Sequence, residues 1–473
     1  MRVTFYGGVD GVTGSRHLLE VGKHRILLDC GMFQGHRKEV RRLNSELPFE
    51  AASITSVILS HGHLDHCGML PVLVKSGYQG SIFATSATRD VAHWILRDAA
   101  HIQTMDAEYM NRHRIEGAEL AEPTFTEEDA LKAVAQIVPV PYVRQTKEWF
   151  TLAPDLRLKF YDAGHILGSA VTVLEASEMG TTLRLGFTGD LGRINTPLIP
   201  DPEAITDEVP VLLMESTYGN RVHQPVTEAV ERLKGIVKRV AASGGKIIVP
   251  SFALGRTQEI IYVLHQLTDR GEIPRLPIFV DSPLALNLTD VFRHHPEEYD
   301  TEAWAEFGSR GEAPLAFSNL TYVATRDESK ALNTRPGPFM VISASGMCEA
   351  GRILHHLANG LGDPKNVVLI TGFQAEHTLG RRLVEGLKSV RIFGTPTRVV
   401  AAVEVLNEFS AHADGPALAS YAGNVPGLRS IFLVHGEHRQ AVGLQDRLLA
   451  ENPNRRVTVP KVGEQFELAV TVN

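Results

Sequence analysis

Between residues 60 and 68 the chain reads Ser60-His61-Gly62-His63-Leu64-Asp65-His66-Cys67-Gly68, with three histidines and one aspartate inside six positions. Upstream, the apolar run Ile54–Leu59 is expected to be a buried strand, and downstream Met69–Val74 is expected to open a helix. The cluster therefore belongs on a turn at a strand end, where side chains converge and solvent enters. Imidazole nitrogen together with carboxylate oxygen is the donor set that suits zinc in a catalytic site. A single tetrahedral ion rarely needs four donors packed this tightly. The alternation reads instead as a division of labour, with His61 and His63 on one ion and Asp65 and His66 on a second beside it.

The 473 residues set a prior of two or three domains. With 43% apolar and 22% charged residues, the composition is that of a globular chain with an ample core. No apolar run is long enough to span a bilayer, so no membrane partner is expected. Met1–Tyr6 reads as a strand and not as a signal-peptide core. Three cysteines argue against a disulfide framework and for a reducing, cytoplasmic setting. A formal net charge of −8 excludes a surface that is basic overall, leaving a local groove as the only nucleic-acid footprint. The basic run from His36 to Arg42 is read as a solvated face.

The first part of the chain is rich in strands. His17–Val21 and Arg25–Asp29 flank Gly22-Lys23 as a hairpin. A helix is expected from Ser86 through Arg114, with Val91, Ile95, Ala99 and Ile102 at helical spacing. Thr126 and Asp129 read as a capping box opening another. Strands resume at Leu156–Tyr161, Ala170–Glu175 and Thr182–Phe187. From Val211 the grammar changes: short apolar strands at Lys246–Val249, Pro277–Val280, Phe339–Ile342 and Asn366–Ile370 alternate with amphipathic helices. That pattern predicts a mainly parallel sheet covered on both faces, although no dinucleotide fingerprint or P-loop accompanies it. After about Gly394 short strands return, and Ser430–His435 ends at another histidine.

Three further donors sit at strand edges beside glycine: His165 in Gly164-His165-Ile166-Leu167-Gly168, Asp190 after Gly189, and His435 before Gly436. Each is a weak signal alone. With residues 61–66 they supply what two zinc ions need, and Asp190, having two oxygens, is the natural bridge between them.

This ordered set is similar to the metallo-β-lactamase superfamily, with Asp29 matching its early aspartate. The α/β block, opened by Met214-Glu215-Ser216-Thr217-Tyr218-Gly219 and followed by Phe409-Ser410-Ala411-His412-Ala413-Asp414, resembles the β-CASP subfamily of nucleases. The resemblance runs over essentially the whole chain. It implies an α/β fold: an αββα sandwich built from residues 1–210 and 395–473, with a β-CASP domain inserted at 211–394. Carried over, one zinc takes His61, His63 and His165, the other takes Asp65, His66 and His435, and Asp190 and a hydroxide bridge them. Manganese is a plausible substitute. Glu215, His412 and His435 match the subfamily's motifs A, B and C. A histidine at motif C goes with RNA, whereas the DNA-processing branch tends to carry valine. His377 stands where relatives usually have glycine, and its side chain is expected to face solvent.

The chemistry follows. Zinc lowers the pKa of bound water to about 7, and a metal pair neutralises charge on the phosphate. His412, held by Glu215, is the candidate acid for the leaving 3′-oxygen. Asp29 is expected to fix a histidine tautomer and not to bind metal. In the insert, four strand-to-helix junctions place small residues and backbone N–H groups at helix starts, which suits phosphate. These are Pro250–Arg256, Asp281-Ser282-Pro283, Ser343–Met347 and Thr371-Gly372. In the family this edge faces the zinc centre. Ser345, Gly346 and Met347 resemble its phosphate-contacting loop, with Ser251, Arg256, Arg352, Arg381 and Arg382 as further candidates.

The expected activity is hydrolysis of single-stranded RNA by a two-metal hydroxide mechanism in RNA processing or decay, as an endonuclease or also a 5′-exonuclease. The alternatives are a DNA nuclease of the same subfamily, a small-molecule metallo-hydrolase, and an inactive RNA-binding scaffold. The sequence leaves the RNA target and the oligomeric state open, a homodimer included.

Overall fold

The protein was described from a computed structural model covering residues 1–35, 37–113, 120–178, 180–307, 314–372, 374–375, 377–406 and 409–468. His36, the side chains of residues 37–39, Arg114, Phe373 and Glu376 lie outside the described residues. The chain divides into two compact units. One comprises residues 1–194, 201–222 and 412–473, and the other residues 195–200 and 223–411.

The first unit is built on two seven-stranded sheets. One sheet runs, from edge to edge, Gln465–Glu467, Arg2–Gly7, Arg16–Val21, His24–Leu28, Ser56–Ile58, Ser81–Ala84 and Ile137–Pro139. The other runs Arg456–Thr458, Ser430–Val434, Val211–Glu215, Thr181–Phe187, Ala170–Glu178, Leu156–Asp162 and Phe150–Ala153. Each sheet is antiparallel over one part and parallel over the other. Side chains alternate between faces along a strand. Ile26 and Leu28 therefore join a core shared with Phe160, Leu174 and Phe187 of the second sheet, while Leu27 faces a separate core with Leu70, Leu73 and Leu96 of two helices. On the far side, Leu212 and Met214 pack with Leu418 and Leu444. These three cores separate four layers, helix–sheet–sheet–helix, which is the expected sandwich.

The helix expected from Ser86 spans Ser86–Arg112, and of the residues at helical spacing Val91 and Ala99 are buried while Ile102 is 49% exposed. Thr126 does cap helix Glu127–Ala135 through a reciprocal pair with Asp129.

The second unit holds a six-stranded sheet, ordered Leu320–Tyr322, Ile278–Val280, Phe339–Ser343, Lys246–Pro250, Val367–Ile370 and Ala402–Val405, in which every pairing is parallel. Two strands fall on the other side of the expected boundaries. Val211–Glu215 is placed in the sandwich, between Ser430–Val434 and Thr181–Phe187. Ala402–Val405 closes the edge of the insert's sheet. A strand buried on both faces is a continuous apolar run in either setting, so its composition does not say which sheet it joins. Among the described residues no helix is long and apolar enough to cross a membrane.

Candidate metal centre

All the donors sit where a strand of the sandwich ends. Ser56–Ile58 leads into His61 and His63, and the one-turn helix Leu64–Cys67 carries Asp65 and His66. Asp29 follows His24–Leu28, and His435 follows Ser430–Val434. Both have left-handed backbone, at φ +58° and +47°. This conformation costs an L-residue free energy and concentrates at functional sites. Gly189, at φ +53°, lies against Ser60, and a Cβ there would stand 2.5 Å from the serine Cβ. Glycine thus lets Asp190 approach the histidine turn.

Two sets of donors result. Nε2 of His61 lies 3.1 Å from Nδ1 of His63, which lies 3.3 Å from Nε2 of His165. Asp190 Oδ2 completes this set at 3.5 Å from His61 and 3.6 Å from His165. In the second set, His66 Nε2 is 3.3 Å from His435 Nε2, and Asp65 Oδ2 is 3.5 Å from His435 Nε2. Asp190 Oδ1 is 3.4 Å from His66 Nε2 and 3.0 Å from His435 Nδ1. Tetrahedral ligands at 2.0–2.1 Å from a zinc ion stand roughly 3.3–3.4 Å apart, close to the separations within the first set and among Asp65, His66 and His435 Nε2, whereas Asp190 meets His435 through its other ring nitrogen.

The electrostatics differ between the sets: burial works against the His66 imidazolium, but Asp190 and Asp29 outweigh it and hold His66 well above the ordinary imidazole range. Burial pushes His61 and His165 well below the ordinary imidazole range and His63 down to about 4, leaving them neutral and able to donate lone pairs. Asp190 Oδ1 is buried and takes no hydrogen bond among the described residues. Such an atom is costly without a compensating cation. The donor set thus fits divalent metal.

Asp29 orders the histidines and belongs to neither donor set. Its Oδ2 accepts from His66 Nδ1 at 2.6 Å, which turns Nε2 towards the site. It also accepts from Ser60 Oγ at 2.9 Å, and Ser60 Oγ stands 3.0 Å from His61 Nδ1. One carboxylate thereby fixes two imidazoles, the arrangement that tunes metal-binding histidines generally. Glu215 is fully buried. Its Oε1 accepts from Leu191 N at 2.6 Å and lies 3.1 Å from His412 Nδ1, while Oε2 accepts from Thr217 N at 3.2 Å. With both oxygens engaged, Glu215 holds His412. The loop bearing His412 pairs with Gly192, which brings the ring beside Asp190. Burial works against the imidazolium, but Glu215 and then Asp190 outweigh it and raise the His412 pKa to about 9.

The remaining candidates all lie in the insert. Its parallel sheet sends the loops after Pro250, Val280, Ser343 and Ile370 out at one edge. Ser345 Oγ accepts from Glu349 N and Ala350 N, at 3.1 and 3.3 Å, closing its loop. Gly346 N and Met347 N have no partner among the described residues. Ser251 is buried beneath Thr257, whose hydroxyl donates to it at 3.0 Å. The arginines expected to add positive charge are ion-paired: Arg256 with Glu259, Arg352 with Asp281 at 2.6 Å, and Arg381 with Glu385 at 2.7 Å. Arg382 donates to His377 O at 3.1 Å. Buried charge needs a partner, and for the buried Arg256 that partner is Glu259. His377 is exposed with φ +68°, a backbone conformation that glycine adopts without strain.

Sequence reasoning gave no role to Ser60, Thr217 or Ser169. Thr217 Oγ1 donates to His435 O at 3.0 Å, and Ser169 Oγ accepts from His165 N at 3.0 Å. Their only signal is adjacency, since each sits within a few positions of a donor or of Glu215.

Residues 18–181 match the Metallo-beta-lactamase superfamily domain, residues 257–383 the Beta-Casp domain, and residues 396–460 the Zn-dependent metallo-hydrolase RNA specificity domain. A Thermus thermophilus protein named as a ribonuclease is 37% identical over 98% of this chain and 99% of its own. The chain belongs to the β-CASP branch of the metallo-β-lactamase superfamily. It is therefore a metal-dependent hydrolase of the group that acts on RNA. An RNase J-like protein of Methanocaldococcus jannaschii is 31% identical over 93% of both chains. The transcription termination factor FttA of Methanosarcina mazei is 29% identical over 94% of this chain and 68% of its own. A solved Enterococcus faecalis protein of unknown function is similar over 99% of both chains, with a TM-score of 0.52 at 13% identity, a likeness of fold alone.

Proposed function

We propose that the chain is a zinc-dependent ribonuclease that hydrolyses single-stranded RNA to 5′-phosphate and 3′-hydroxyl ends. It acts as an endonuclease with 5′-exonucleolytic trimming as a second mode, in cytoplasmic RNA processing or decay. The observation that supports this reading is Asp190, whose Oδ2 lies beside His61 and His165 of one donor set while its Oδ1 lies 3.4 Å from His66 Nε2 of the other. Two zinc ions, or manganese in their place, are the cofactors that fit a doubled donor set of this kind.

When bound, the metal pair supplies activated water at neutral pH and neutralises charge on the phosphate. Asp29 and Ser60 keep His66 and His61 in the tautomers that leave Nε2 free. His412 presents its Nε2–H to the leaving 3′-oxygen, since Nδ1 is taken by Glu215. Gly346 N and Met347 N are the phosphate donors on the insert, with Ser345 shaping the loop. Ser251, Arg256, Arg352 and Arg381 support those loops through their internal pairs. Buried, unpaired Cys30, Cys67 and Cys348 suit a reducing compartment. His435 at motif C favours RNA over DNA.

The test is a digestion of 5′-labelled and 3′-labelled RNA alongside DNA of the same sequence. Internal cuts in RNA, with DNA cut far more slowly, are expected. Equal rates on single-stranded DNA would move the assignment to the DNA-processing branch.

A further inference from the structure

Phe252 is a large apolar side chain left 41% exposed, and its surroundings are unusual. It rises from the strand Lys246–Pro250, which lies between Phe339–Ser343 and Val367–Ile370. The loops after those two neighbours bring a glycine to the ring. A Cβ on Gly346 would stand 2.8 Å from Phe252 Cδ2 and Cε2, and one on Gly372 would stand 3.9 Å from Cε2. Gln374 joins these glycine loops, its Nε2 donating to Gly346 O at 3.0 Å and Gly372 O at 3.2 Å. The backbone beneath the ring is tied down as well. Phe252 O accepts from Thr257 Oγ1 at 2.7 Å and from Ser251 Oγ at 3.3 Å.

The ring is thus fixed, backed by glycine, and open to solvent. The same Gly346 carries one of the unpartnered N–H groups. A π-face beside backbone donors is the combination that holds one nucleotide of a single strand, base on the ring and phosphate on the N–H groups. Every base has such a face, so a site of this kind tolerates any sequence.

We propose that Phe252 is a base-stacking platform for one nucleotide of the substrate strand, part of a subsite completed by Gly346 and Met347. The proposal rests on the RNA reading above and extends it to a residue which that reading does not use.

The experiment is an abasic scan with full-length, metal-loaded protein, made in the His412→Ala background so that the oligoribonucleotide stays intact during the measurement. A single abasic ribose is moved along the strand and affinity is read by fluorescence anisotropy. With Phe252 present, one position should lose affinity by about 5- to 150-fold, the range of a lost base–aromatic stack. Phe252→Ala should lower affinity for intact RNA by a similar factor and abolish the penalty at that position. Phe252→Tyr should retain both, while Phe252→Leu, which keeps an apolar contact with Gly346, should behave like alanine and covers the case in which Phe252→Ala misfolds. Abasic penalties identical in the Phe and Leu proteins would overturn the proposal while leaving the RNA reading intact. Failure of the Phe252 protein to bind RNA at all would overturn both.

Discussion

The sandwich and the insert both gather polar groups where strands end, and they do so with different parts of the residue. In the sandwich the groups are side chains, imidazoles and carboxylates, of which His66, His61 and His412 are held by Asp29, Ser60 and Glu215. In the insert they are main-chain N–H groups on small residues, and the nearby arginines are engaged internally. The contrast fits two tasks. Metal needs specific donor atoms at fixed spacing, whereas a sugar–phosphate strand needs a row of weak donors that any small residue supplies. Damage to the first region should therefore change metal content or chemistry, and damage to the second should change RNA affinity only.

The largest effects should separate roles within the sandwich. His412→Ala should keep its metal and lose turnover by about 10²–10⁴-fold, the range for a missing general acid. His435→Ala should lose metal together with activity. A substrate whose scissile 3′-oxygen is replaced by sulfur needs little protonation and should rescue the first variant and not the second. Rescue of both alike would erase the distinction between acid and ligand.

Next comes the support beneath the donors. Asp29→Asn keeps the size but weakens the acceptor for His66 Nδ1. Metal affinity should fall by about 10- to 100-fold, as for other partners of ligating histidines, read by competition with a chelator. Unchanged affinity would mean that the histidines are oriented by packing alone.

The insert should respond differently. Ser345→Asp puts a negative charge beside the unpartnered N–H groups. RNA affinity should fall by about 5- to 30-fold, corresponding to roughly 1–2 kcal/mol of screened repulsion. Metal content should not move, and a drop in it would break the separation between the regions.

The same contrast explains what was legible in the sequence. Donor side chains are marked by residue type, and the seven candidates named from the sequence lie in two close groups, although His165, Asp190 and His435 are weak signals taken singly. Backbone donors carry no such mark. The arginines are visible in a sequence as charge, but the ion pairs of Arg256 with Glu259 and Arg352 with Asp281 are not. Phe252 went unremarked because an aromatic next to a strand reads as core. The fold was legible in class, but Val211–Glu215 and Ala402–Val405 show that an apolar run does not reveal its sheet.

The smallest effect lies at His377, where left-handed backbone meets a non-glycine side chain. His377→Gly should stabilise the fold by up to about 1 kcal/mol by relieving that backbone, measured by denaturant unfolding. RNA affinity should stay the same if the side chain only faces solvent, and a loss would assign it to the RNA-contacting edge.

The central claim is that one carboxylate, Asp190, joins two complete donor sets. It is tested most directly by the metal content of the purified chain, measured by elemental analysis after exhaustive dialysis against metal-free buffer and reloading with zinc. The account predicts two ions per chain in the native protein and fewer than two in Asp190→Ala. One ion or none in the native protein, or two retained without Asp190, would contradict it.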